Sequence, residues 1–189
     1  MDSRDVAAAL AEATRTLAEH ADRDWSVPAG TLEWDCRATA AHIAHDLLAY
    51  AGQVTAMPSD AYLPMDLTVR PAAAPRDVLR IVTAAAGLLI AALDAAGPGM
   101  RAWHWGACDA AGFAAMGVAE ILLHTHDITA GLGIRWQPPA PLCAAVLQRL
   151  FPDAPPGDPV PVLLWLTGRG ELPGRDRRTS WTWTAARTT

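Results

Sequence analysis

Residues 116–133, MGVAEILLHTHDITAGLG, constrain this chain more than any other stretch. Glu120, His124 and Asp127 follow one another at spacings of four and three. On a helix those spacings stack the three side chains on one face. Val118, Ile121, Leu122, Leu123 and Ile128 make the rest of the surface apolar. A helix that is apolar nearly all round is buried. A carboxylate and an imidazole inside a protein need a partner, because an unpaired buried charge is costly. Two arrangements supply one: a divalent metal, or a Glu–His hydrogen bond closed within a helical bundle.

Three further long helices are predicted. Asp2 or Ser3 caps the first, which runs to about residue 21 with Val6, Leu10, Thr14 and Leu17 at helical spacing. Pro28 and Gly30 break the next segment, in which Trp25 and Trp34 read as packing anchors. Asp35 caps a second helix over 36–57, which carries His42, His45 and Asp46. His42 and Asp46 share a face there, and two histidines with an aspartate so close together raise the prospect of chemistry. Residues 57–74 hold three prolines and no period, as expected of a connection that crosses a bundle or covers a pocket. Pro75 opens a third helix with a wide apolar stripe, ended by GPG at 97–99. The aromatic segment MRAWHWGA precedes Asp109, the cap of the fourth helix, which stops at Gly131 and Gly133.

The remainder reads as short helices over 142–151 and 160–167, then TSWTWTA, whose alternation suggests a short strand or an extended packing segment. The expected fold is therefore all-α. It is a four-helix bundle over residues 1–135 with a small C-terminal extension, 136–189, packed on it. The net charge of −5, with fifteen dispersed Lys and Arg, argues against nucleic-acid binding. The N-terminus lacks signal-peptide character, and the apolar runs read as too short or too interrupted for a membrane span. Cys36, Cys108 and Cys143 form no disulfide framework, which suits the cytoplasm.

Set side by side, the second and fourth helices gather His42, Glu120 and His124. Two imidazoles and one carboxylate form the ligand set of catalytic zinc sites and of non-haem iron triads. The ExxxH spacing differs from the ExxH of di-iron bundles, so a single ion is expected. Trp103, His104 and Trp105 are placed to line a pocket or to seal a bundle end.

WDCRATAAHIAHDLLAY sets His42 eight residues after Trp34, and MGVAEILLHTHDITAGLG supplies an ExxxHxxD pattern. Together they resemble the mycothiol-dependent maleylpyruvate isomerase N-terminal domain family of the DinB-like metalloenzyme superfamily. LQRLFPDAPPGDPVPVLLWLTGRGELPG also resembles the tail of many members. The resemblance implies a DinB-like bundle in which His42, Glu120 and His124 bind one divalent metal, zinc first, with iron, nickel or manganese as alternatives. It further implies mycothiol, or another low-molecular-weight thiol, as cofactor and a small electrophile as substrate.

The segment after Trp136 is shorter than the C-terminal domain of the characterised isomerases. The expectation is therefore isomerase or S-transferase chemistry rather than one named reaction. In that scheme Asp46 or His45 moves the proton and Asp127 orients a ligand. Trp103 and Trp105 wall the pocket, and Arg169 is a candidate anion contact. Cys36 is the weaker choice of nucleophile. Two alternatives use the same fold: a thiol-independent metal hydrolase, and a non-catalytic small-molecule-binding member. A homodimer is a further option.

Overall fold

The computed structural model describes residues 1–186 and contains six helices among them. Four form the bundle: α1 (Ser3–Ala18), α2 (Cys36–Ala56), α3 (Pro75–Ala95) and α4 (Ala110–Gly131). Each starts where a cap or a proline places it. The Asp2 side chain accepts from the Arg4 N–H, and Asp35 and Asp109 do the same for Ala38 and Gly112. Pro75 opens α3 without a side-chain cap. These contacts satisfy N–H groups that the helices leave unpaired. The all-α, DinB-like bundle with a small extension is the architecture observed. Some ends shift: α1 stops at Ala18, where a run of turns begins, rather than near residue 21.

In the bundle α1 packs on α3 and α4, and α2 packs on the same two from the opposite corner. The outer side of α4 is covered by α5 (Ala140–Leu150), on which α6 (Pro159–Leu166) packs in turn. This explains the apolar wrap of α4. Every residue from Gly112 to Thr129 is buried except His126, because the extension covers what the bundle leaves open. At its C-terminal end α4 runs against the backbone of Pro28 and Ala29 and against Cys36. A β-carbon at Gly131 would overlap the Pro28 carbonyl oxygen. Gly131→Ala is therefore expected to cost about 1–3 kcal/mol, the usual penalty of overpacking, read as a drop in denaturant midpoint at unchanged slope.

One expectation needs correction, and the structure decides between the two readings of the C-terminal segment. Helix α3 is long and apolar enough, by length and composition alone, to cross a membrane; here its apolar stripe packs on α1 and α2. The TSWTWTA segment forms no strand, since no neighbouring backbone pairs with it at Trp181 or Trp183. It is instead pinned by the Thr184 N–H donating to the Leu150 carbonyl and by Arg149 donating to the Ala185 carbonyl. The sheet found among the described residues is a two-residue hairpin, β1 (Ala102–Trp103) with β2 (Ala107–Cys108), inside the aromatic segment before α4.

Candidate metal centre

Helices α2 and α4 pack together and bring His42, Glu120 and His124 to one point. One ligand atom from each lies within 4.8 Å of the others. Glu120 Oε2 is 3.1 Å from His124 Nε2 and 3.8 Å from His42 Nε2. The first distance follows from the four-residue spacing on α4. The second needs the facing helix. Asp46, one turn along α2, reaches to 3.3 Å from His42 Nε2.

The surroundings fix the ring of His124. Its Nδ1 lies 3.0 Å from Asp127 Oδ2, three residues on. A carboxylate only accepts, so Nδ1 carries the hydrogen and Nε2 is the atom presented to Glu120. Asp127 is held in turn by Arg169 from the extension. Arg169 Nη2 donates to Oδ2 at 2.8 Å and Nε donates to Oδ1 at 3.0 Å. Both side chains of that pair are almost fully buried. A carboxylate behind a histidine in this way fixes the tautomer and orientation that a metal requires.

The electrostatics suit a cation. Burial opposes charging of His124, but its hydrogen bonds to Asp127 and Glu120 outweigh that and push it up to about 9. Burial pushes His42 the other way, toward the neutral form. Burial and the adjacent Glu120 charge raise Asp46 to about 8. Glu120 is held low, because its contacts with His124 and His42 outweigh its burial. Without a metal, the place between Glu120 and His124 therefore holds a proton. A metal must displace it, so apparent zinc affinity should rise about tenfold per pH unit from about pH 6 to about pH 8. Calorimetric titrations in that range, with proton release measured from buffers of different ionisation enthalpy, check this.

The Mycothiol maleylpyruvate isomerase N-terminal domain family matches residues 6–129, nearly all of the bundle, including the parts of α2 and α4 that carry the cluster. The chain belongs to that family. No curated protein and no solved structure matches it. Among the described residues, the cluster of His42, Glu120 and His124 is the group with metal-ligand geometry in this family member.

A cavity of about 300 Å³ opens beside the cluster, lined by His42, Glu120 and His124 together with Trp34, Arg169, Trp181 and Trp183. Trp103 and Trp105 are not among its lining residues. The β1–β2 hairpin turns Trp105 outward at a left-handed corner, φ 53°, leaving it 80% exposed. Trp103 packs edge-on against Tyr62 instead. Arg169 does line the cavity, but its guanidinium is engaged by Asp127 rather than left free for an anion. His45 lies 3.9 Å from Asp46, and its Nδ1 accepts from the Leu67 N–H. Cys36 is fully buried and pushed up to about 11 by that burial, which removes it as a nucleophile.

Trp34 reads as a packing anchor in the sequence, yet it is 47% exposed with its ring 4.8 Å from that of His42. Trp181 and Trp183 carry no site expectation there. Their two-residue spacing is the available signal, since it places both on one side of an extended chain. Sequence reasoning also misses Tyr50; it is buried, and its hydroxyl donates to Glu120 Oε1 at 3.3 Å.

Proposed function

We propose that this protein is a divalent-metal-dependent enzyme that joins or exchanges a low-molecular-weight thiol with a small electrophilic substrate. Mycothiol is the thiol the family name suggests, and isomerase or S-transferase chemistry is the reaction class. The observation that carries the reading is the convergence of one carboxylate and two imidazoles beside a Trp-walled cavity. That donor set fits a catalytic zinc site with an open position, and iron, nickel or manganese use the same donors.

His42 Nε2, His124 Nε2 and a Glu120 oxygen would hold the ion. When bound, the metal supplies a positive centre that favours the thiolate over the thiol. The chain's own residues do the rest. Asp46, 3.3 Å from His42 Nε2, is the carboxylate placed to take the thiol proton; burial and the Glu120 charge raise it to about 8, and a cation beside Glu120 would offset that charge and return it toward its basic form. The His45 ring, with Nδ1 accepting from the Leu67 backbone, faces Asp46 across 3.9 Å. Asp127 and Arg169 hold His124 in register. Trp34, Trp181 and Trp183 exclude water and offer flat apolar surfaces to the substrate. The buried thiols of Cys36, Cys108 and Cys143 accord with action in the reducing cytoplasm.

The test is a mycothiol titration of zinc-loaded and zinc-free protein, followed by thiol consumption assays against a panel of electrophiles that includes maleylpyruvate. The expected result is mycothiol binding that requires the metal, with acceleration of at least one thiol reaction. Metal-loaded protein that neither binds mycothiol nor accelerates any reaction overturns the thiol reading.

A further inference from the structure

A second cavity, of about 500 Å³, adjoins the candidate centre. Two of its lining residues connect it to the cluster: Asp46, beside His42, and Tyr50, bonded to Glu120. Tyr62 lines it too, on the long connection between α2 and α3. That connection is fastened on both sides of Tyr62 by one fully buried side chain. Gln53 donates to the Ala61 carbonyl at 3.2 Å and accepts from the Leu63 N–H at 3.1 Å. Gln53 also donates to the Trp103 carbonyl, and the Trp103 ring meets Tyr62 edge-on at 5.5 Å. Tyr62 is therefore held by its own backbone neighbours and by an aromatic wall.

The direction of the Tyr62 hydroxyl hydrogen follows from a short chain of donors. Trp183 Nε1 lies 3.3 Å from His104 Nε2. An indole N–H can only donate, so His104 Nε2 must be the bare, accepting nitrogen. Burial lowers His104 to about 4, so the ring is neutral and its single hydrogen sits on Nδ1. His104 Nδ1 is the hydrogen-bond partner of the Tyr62 hydroxyl oxygen. The tyrosine oxygen thus accepts from His104 and cannot give its hydrogen back to it. Among the described residues no other acceptor meets the Tyr62 hydroxyl, which leaves that hydrogen for an occupant of the cavity. A phenol that already accepts a hydrogen bond is the stronger donor for it.

We propose that this cavity is a binding subsite for a neutral oxygen-bearing group, the carbonyl or amide oxygen of a small ligand, with Tyr62 as its hydrogen-bond donor. The lining favours a neutral group. It holds Asp66, an Asp46 that burial and the Glu120 charge raise to about 8, and His45, with neither Lys nor Arg, so a carboxylate would meet the Asp66 charge and no permanent cation. The inference rests on the proposed function only in taking this group to belong to the substrate; the subsite itself needs no metal.

Acetamide and acetate, an isosteric neutral and anionic pair, form the probe. Each is titrated into the full chain at equal ionic strength, with and without zinc, and followed through the imidazole resonances of His104 and the ring resonances of Tyr62. Long-range nitrogen–proton spectra should show His104 with its hydrogen on Nδ1. Acetamide should shift both residues saturably, and acetate should not. Tyr62→Phe should weaken acetamide binding about three- to tenfold, the worth of one neutral hydrogen bond. A hydrogen on Nε2 of His104, an equal response to acetate, or unchanged affinity in Tyr62→Phe overturns the proposal. Should that variant fail to fold, the tautomer and the acetamide–acetate comparison on the wild-type chain still decide it. Acetamide binding at Tyr62 in a protein that takes up none of zinc, iron, nickel and manganese would sink the metal-dependent function and leave the subsite standing.

Discussion

His42→Ala and His124→Ala are each expected to abolish stoichiometric zinc binding, while the wild-type chain takes up one ion. The expectation follows from the number of donors. The cluster offers three, and removing either imidazole leaves two, too few to hold an ion that prefers three protein ligands at a catalytic site. Stability gives an independent readout. An ion that binds only the folded chain, at a hundred times its dissociation constant, adds about 2.7 kcal/mol. For a chain of this size that is roughly 5–10 °C in Tm. Wild-type protein should show this rise on zinc addition, and the alanine variants should show none. The competing arrangement is a closed His–Glu–His hydrogen-bond network. It predicts that the wild-type chain stays empty after exposure to zinc, iron, nickel and manganese, and that the substitutions merely lower stability. Elemental analysis of the three proteins separates the two, and an empty wild-type chain would falsify the centre and the chemistry built on it.

The spacing on α4 makes half of the cluster legible in the sequence. Residues four apart on a helix must be neighbours, so Glu120 and His124 can be paired without knowing the fold. The apolar wrap around them announces burial, and the bundle follows from four such periods. His42 is a weaker inference, because nothing local says which side of α2 faces α4; the family resemblance supplies it. The cavity walls are hidden for a different reason. Trp34, Trp181 and Trp183 reach the site from irregular segments, whose paths depend on tertiary contacts such as Thr184 to Leu150. Trp103 and Trp105 are misplaced on the same ground. A segment that precedes a site helix lies near it, but the β1–β2 hairpin decides which side chains point inward. The donor chain from Trp183 through His104 to Tyr62 draws on three separate segments, and no periodicity encodes it.

Arg169→Ala is expected to weaken zinc binding by about 10–100-fold although Arg169 touches no metal-ligand atom. Its partner Asp127 holds the His124 ring, and the guanidinium is what keeps that carboxylate charged and in place. Burial works against the ionised form of Asp127, but the contacts with His124 and Arg169 outweigh it and hold its carboxyl below the usual range. Removing the guanidinium leaves a buried carboxylate with His124 as its one remaining partner among these contacts. Breaking a buried pair in this way costs about 3–5 kcal/mol of stability. Loss of stability alone would not show a role at the metal, so two comparisons are needed. Arg169→Lys keeps the charge but loses the two-pronged geometry, and it should recover part of the affinity while restoring less order to His124. In a double-mutant cycle with Asp127→Asn, the two effects on zinc affinity should fall well short of additive, because both act through one imidazole. Additive effects, or unchanged zinc affinity in a destabilised Arg169→Ala protein, would confine Arg169 to holding the extension against α4. The expected coupling would tie the extension to the candidate centre, because the segment after the bundle supplies the residue that holds Asp127 against His124, one of the proposed metal ligands.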